Sequence, residues 1–302
     1  MKTLIIGGTR FVGLAMTKYA LSLGHDVTVF HRSDNVPPGT ESATHVHGDR
    51  LTDLHKLTGT VWDLVIDVCA YRPNEVSIVA DVLGDSTKKF VFVSTVSVYD
   101  DSICRNCDER AQLTSTEAVS ALDVTAVPVM EHYGALKVLC EQETEKRFDN
   151  PLIIRPTYVI GPDDYTNRFT AWVAKIASGG MVDAPEPKSA SLQYIDVRDL
   201  AKFTVDAALD GLSGAFHVAT PSGGAAFGDV LATIAETVGG PEAELNWIAV
   251  EEALKADEEF PLWAQGESVG MLAMDTSKAI AAGLKVRPLA ETVTDIRAQL
   301  HA

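Results

Sequence analysis

The stretch "LIIGGTRFVG", Leu4–Gly13, is an apolar run broken by paired glycines and closed by a third. A short β-branched run at this place reads as a buried strand. Behind it, "FVGLAMTKYALSLG" sets Val12, Ala15, Met16, Tyr19, Ala20 and Leu23 at helical spacing, with Gly24 as C-cap. A second β-branched run, Val27–Phe30, follows directly. Strand, helix and strand in about 30 residues make a right-handed parallel unit. Further strand candidates at Thr44–His47, Leu64–Asp67, Phe90–Val93 and Leu152–Arg155 extend it. The predicted fold class is therefore α/β with a doubly wound parallel sheet. With 302 residues, 46% of them hydrophobic, the chain can fill one large domain or two closely joined ones.

The second half is less regular. "NWIAVEEALKA" and "PLWAQGES" follow "GPEAE", and a last helix is expected from about Leu289 to Leu300. The expected division is residues 1–162 as a Rossmann-like domain and 163–302 as a smaller mixed substrate-binding region. A strand near Ala215–Val218 is expected to return to the large sheet.

In a dinucleotide turn the first glycine makes the bend, the second admits the pyrophosphate and the third lets helix and strand pack. Within Gly7, Gly8, Thr9, Arg10, Phe11, Val12 and Gly13, either early glycine suits the first role and Gly13 the third. Arg10 holds the middle place. It leaves the approach open if its Cβ points away, and its guanidinium then suits bidentate phosphate contacts. The second strand ends in His31 and Arg32, while Asp26 lies at its wrong end and Asp34 falls beyond it. Two arginines without a well-placed acid predict a pocket for a 2′-phosphate, hence NADP(H) over NAD(H). Asp49 is a candidate acceptor for the adenine amino group. "DVCAY", carrying Cys69, Ala70 and Tyr71, ends a strand at the carboxyl edge of the sheet, where ligands of such folds bind.

"EHYGALKVLCEQETEK" reads as a helix with Tyr133 and Lys137 four apart, hence on one face. An ammonium nearby is expected to draw the phenol toward working pH, which suits a general acid/base. The fifth strand ends in "FVSTVSVYD", which supplies Ser94, Thr95 and Ser97. Proton donor, lysine and positioning hydroxyl, set against a nicotinamide, make a hydride-transfer site at a carbonyl or secondary alcohol.

With these residues in view, the chain resembles an extended or related atypical short-chain dehydrogenase/reductase of the NAD-dependent epimerase/dehydratase family. "GGTRFVG", "STVSVY", "YGALK", "RPTYVIGP", "YIDVRDLA" and "FHVATPSGG" carry the likeness along essentially the whole chain. The resemblance implies Tyr133 as acid/base, Lys137 as its partner on the nicotinamide ribose and Thr95 as the catalytic hydroxyl. It also implies Pro156 and Thr157 lining the nicotinamide, substrate specificity in the C-terminal part, and by family habit a homodimer. Arg10 in the turn resembles an actinobacterial-type reductase subgroup and the chloroplast stem-loop-binding group. Val96 and Ser97 stand where sugar 4,6-dehydratases carry an Asp–Glu pair, which argues against dehydration. The long stretch Asp100–Pro128 is expected to cover the substrate. Ser97, Tyr99, Arg168 and Trp172 are its candidate contacts.

Three readings follow. The first is a reductase or dehydrogenase of a small organic molecule. The second is a nucleotide-sugar 4-epimerase with retained NAD, for which Lys175, Lys188, Arg198 and Lys202 are only scattered diphosphate ligands. The third is a non-catalytic dinucleotide sensor or RNA-binding scaffold, against which the Tyr133/Lys137 pair and a net charge of −17 both speak. That charge argues against nucleic-acid and anionic-membrane partners. No run reaches the length of a membrane span and no leader precedes Gly7, so a cytoplasmic protein is expected. Cys104 and Cys107 lack a second pair or histidine spacing and read as a coincidental loop pair, with no metal site expected. Asp199 reads as a helix-start residue, and Glu251–Phe260 as a solvated acidic face.

Overall fold

The computed structural model describes residues 1–100, 104–256, 259–263 and 270–301. Parts of the covering stretch 100–128, of the acidic run 251–260 and of "PLWAQGES" therefore lie outside the described residues. The first half alternates β1 (Lys2–Ile6), α1 (Phe11–Ser22), β2 (Asp26–His31), β3 (Thr44–His47), β4 (Leu64–Asp67), α2 (Pro73–Leu83) and β5 (Phe90–Val93). A short α3 (Glu117–Ser120) precedes α4 (Tyr133–Arg147), then β6 (Leu152–Pro156) and β7 (Tyr158–Ile160). The second half holds α5 (Arg168–Ala177), β8 (Met181–Pro185), β9 (Tyr194–Asp196), α6 (Val197–Leu209), β10 (Gly214–Val218), α7 (Phe227–Val238) and β11 (Glu244–Ile248). It closes with α8 (Val250–Ala253), α9 (Ser277–Ala281) and α10 (Leu289–Gln299).

Seven strands form one parallel sheet in the order β10-β6-β5-β4-β1-β2-β3. The strands at its centre are apolar on both faces because helices cover both. Strand order reverses between β1 and β4, whose register pairs Ile6 with Asp67. That is the switch point at which a cleft opens above the carboxyl ends. Every strand expected from the β-branched runs is present, and Gly214–Val218 does return to the sheet, beside β6.

Four apolar clusters fill the described interior, and two of them bear on how the chain divides. One joins Ile5, Met16 and Val29 with Leu200, Phe203, Phe216 and Val218, so α6 and β10 pack into the sheet domain although they follow residue 163. The other gathers Phe169, Trp172, Phe227, Leu231 and Ile296 from α5, α7 and α10 around the paired strands β8 and β11. Asp196 caps α6 by accepting from the Arg198 amide, while Asp199 holds Arg287 through its amide and guanidinium. Both acids are structural.

Candidate active site

The glycine turn is as tight as its spacing demands. A Cβ on Gly13 would lie 2.2 Å from the Gly7 carbonyl oxygen, and one on Gly8 would lie 2.6 Å from Thr17 Oγ1. Gly7 has φ +90°, and a Cβ there would sit 2.8 Å from Cys69 Sγ. The turn after β1 and the segment after β4 therefore touch at the switch point. Arg10 has extended backbone (φ −137°, ψ 142°) and an exposed side chain. Phe11 follows it at φ 37° with its ring buried, and Val12 and Thr9 are half-buried beside it.

Beneath that contact lies a pair the sequence reading missed. Arg50 donates to both oxygens of the buried Asp67 at 3.0 and 2.6 Å, to Cys69 Sγ at 3.4 Å and to the Glu75 carbonyl at 2.8 Å. Burial pushes the Cys69 thiol up to about 11, so this cysteine stays protonated and packs as a small apolar residue. Ala70 is fully buried, and Tyr71 is partly exposed with its ring 6.3 Å from that of Tyr133.

Tyr133 opens α4 beside the end of β5. The close approach rests on Gly134, where a Cβ would come within 2.1 Å of the Ser97 carbonyl. Thr95 Oγ1 accepts from the Ser97 amide at 3.1 Å and donates to Ser97 Oγ at 3.2 Å. Lys137 is buried and donates to the carbonyls of Ala70 (3.0 Å) and Val93 (2.7 Å), bridging the ends of β4 and β5. Burial pulls its ammonium below the ordinary lysine value. Burial also raises the Tyr133 phenol above its usual range, against the Thr95 hydroxyl and the Arg168 cation, which draw it down. The expected lowering by lysine does not emerge: burial dominates, and the groups that oppose it are Thr95 and Arg168, while the Lys137 ammonium is turned to two carbonyls.

Other candidates fall in place around this centre or away from it. Ser94 Oγ and Thr157 Oγ1 are buried at the same sheet edge without a protein partner, and Pro156 ends β6 next to Thr157. Arg168 lies over the Tyr158 ring at 5.1 Å, bonds only Thr166 Oγ1, and makes no ion pair among the described residues. Tyr99 and Trp172 are placed elsewhere. The Tyr99 hydroxyl accepts from Arg155 and bonds His217 Nε2 at 2.7 Å inside a buried network with Glu141 and Glu109. Trp172 is 3% exposed, with its indole donating to the Pro261 carbonyl in the second core.

The adenosine end also departs from expectation. His31 is buried with Nε2 2.9 Å from His45 Nδ1, while its own Nδ1 is buried with no hydrogen-bond partner among the described residues. Arg32 is 80% exposed and reaches only Asp49, at 4.0 Å, while Asp49 Oδ1 accepts from the Leu51 amide in its own turn. Arg10 meets the Tyr165 ring instead, so the two arginines do not converge on one phosphate pocket. Arg72, also unremarked in the sequence, donates to the carbonyls of Val124 and Val127 and pins the covering stretch. Cys104 and Cys107 are joined as a disulfide, which corrects the reading of a coincidental pair. No cluster of metal-ligating side chains occurs among the described residues.

Residues 76–218 match the sequence profile described as the NAD dependent epimerase/dehydratase family. Over 217 residues, 66% of the chain, it is 28% identical to the chloroplast stem-loop binding protein of 41 kDa b from Arabidopsis thaliana. That match spans 53% of the relative, about half its length. The UDP-N-acetylglucosamine 4-epimerase of Bacillus cereus superposes with a TM-score of 0.69 at 18% identity, covering 100% of this chain and 97% of the other. The Bordetella bronchiseptica enzyme WbmG in complex with NAD and UDP gives 0.72 at 15% identity, covering 99% and 94%. At these identities the likeness is one of fold.

Proposed function

We propose, from the match of residues 76–218 to the NAD dependent epimerase/dehydratase family, that the chain is a member of that family and a nicotinamide-dependent oxidoreductase acting at a carbonyl or secondary alcohol of a small organic molecule. The observation that carries this reading is the meeting of Tyr133, Thr95 and Ser97 above a locked Lys137, across the switch point from a glycine turn with no room for side chains. The turn and the two unpartnered hydroxyls fit a dinucleotide. Gly7, Gly8 and Gly13 leave backbone bare for phosphate, and Ser94 and Thr157 hold buried hydroxyls ready for a polar ligand.

In this reading the bound dinucleotide supplies the hydride acceptor or donor. Tyr133 passes a proton to or from the substrate oxygen, and Thr95 with Ser97 orients that oxygen. Lys137 cannot swing away, because two carbonyls hold it. Its positive charge then stabilises the negative charge that builds on the phenolic oxygen as the proton leaves. A preference for NADP(H) rests on Arg32 alone, since Arg10 is turned to Tyr165. Val96 and Ser97 in place of an acid pair lead us to leave out 4,6-dehydration. The net charge of −17 favours a small-molecule partner over nucleic acid.

A second reading, a nucleotide-sugar 4-epimerase with retained NAD, is favoured by Arg168, a half-buried cation near Tyr133 that no described carboxylate neutralises. The same acid/base and hydroxyl serve both readings. Fluorescence titration with NADH and NADPH, then assay against a carbonyl panel and UDP-sugars, separates them. In the active assay Tyr133→Phe is expected to cut turnover at least about 10²-fold while dinucleotide affinity stays within about twofold. Turnover that survives the substitution removes Tyr133 from the mechanism.

A further inference from the structure

The feature that the proposed chemistry leaves unused is the contact made by the arginine in the glycine turn. The Arg10 guanidinium lies 4.7 Å over the ring of Tyr165, and Phe11 meets that ring edge-on at 6.4 Å and 85°. Tyr165 stands at the tip of the loop 161–167, between β7 and α5, and is 57% exposed. The base of the loop is fixed. Asp163 exchanges two hydrogen bonds of 2.9 Å with Gln299 of α10, and Asp164 accepts from the amide and hydroxyl of Thr166. Lys18 of α1 reaches Asp163 at 3.4 Å. Asp163 and Asn167 both take left-handed backbone (φ 66° and 56°), which turns the tip back over the sheet edge. Tyr165 also helps to hold the phenols of Tyr71 and Tyr133 above their ordinary range, so it lies within electrostatic reach of both. One side chain thus packs on the glycine turn and lies within electrostatic reach of the proposed acid/base.

We propose that Arg10 and Tyr165 form a strap across the dinucleotide cleft, and that this strap sets how long a nicotinamide dinucleotide remains bound. The proposal rests on the dinucleotide reading above. It also accounts for a non-glycine at the middle of the turn. The extended backbone of Arg10 carries its side chain outward, which keeps the turn amides bare and puts the cation where the opposite loop can cover it. A planar cation on an exposed ring forms and breaks without disturbing the core, so the contact can open for exchange and shut again.

The test is stopped-flow measurement of NADH and NADPH release from the full chain, monitored by nicotinamide fluorescence. Tyr165→Ala and Arg10→Ala are each expected to speed release about three- to fivefold, and Tyr165→Phe to leave it nearly unchanged because the ring face remains. The double alanine variant is expected to release no faster than the faster single one, since the same contact is lost only once. Unchanged release in Tyr165→Ala, or effects that multiply in the double variant, would overturn the strap and leave the dinucleotide reading intact. If the unaltered chain binds neither NADH nor NADPH, that reading falls and the strap with it. Melting temperature measured on each variant without dinucleotide shows whether the fold has been altered; a faster release that tracks a lowered melting temperature also counts against the strap.

Discussion

Arg32 shows how far a single residue's chemistry can be read before its surroundings are known. Following a strand with no acid at its end, it suggests a phosphate partner. In the fold it stands 80% exposed with only Asp49 near, at 4.0 Å. If the guanidinium does meet a 2′-phosphate, Arg32→Ala is expected to weaken NADPH about tenfold while NADH changes by less than about twofold. Parallel titrations decide it, and equal losses remove cofactor discrimination from this residue. The placement of Gly13, Tyr133 and Lys137 was legible because spacing alone fixes it: a third glycine at a helix start, and two residues one helical turn apart. Tyr165, Arg50 and Arg72 were not. Each acts through a partner remote in sequence (Arg10, Asp67, and the carbonyls of Val124 and Val127), and no local pattern announces such a pairing.

Among the elements, α6 and α4 are held by buried charge rather than by apolar pattern alone. Asp196 caps α6, and its carboxylate also takes bonds from the Arg198 guanidinium and the Thr292 hydroxyl. Burial pushes its pKa up, but these donors outweigh burial and hold it below the ordinary aspartate value. A depressed carboxylate stabilises the fold above its unfolded pKa, near 4, and loses that contribution as pH falls through its folded value. Asp196→Asn is therefore expected to lower stability by about 2 kcal/mol at pH 7. The gap to the unaltered chain should close below about pH 4, and urea midpoints from pH 7 down to 3 provide the check. A constant gap across that range would mean that the loss is packing. Glu141 of α4 and Arg155 of β6 make a buried bidentate pair at 2.6 and 3.0 Å that fixes the helix carrying Tyr133 against the sheet. The strands of the sheet were readable as β-branched runs between helical stretches. The short paired strands β7 and β9 were not, because three residues carry too little periodicity to stand out.

For the molecule as a whole, a cut after residue 162 is the natural guess from sequence, and the packing argues against using it. Leu200, Phe203, Phe216 and Val218 come from beyond that point yet fill the core under β1 and α1. Each buried side chain of this kind is worth about 1.5–3 kcal/mol against exposure. A fragment of residues 1–162 is expected to melt without a cooperative transition, even if some helix signal persists, when followed by near-ultraviolet circular dichroism. A sharp transition with a native-like aromatic signal would show that α6 and β10 are dispensable. No helix among the described residues is long and apolar enough to cross a membrane.

The return of α6 and β10 has a further bearing on how such a chain can change its preferences. The polypeptide leaves the large sheet after β6, comes back to add α6 and the edge strand β10, departs again, and returns once more at α9, where Ala279 and Leu284 join the sheet core. Exchanging only the excursions between relatives would need a junction at every crossing instead of one, each inside a shared interior. The segments between visits, 161–193 and 219–275, are where insertions or replacements can retune recognition with least disturbance of that interior.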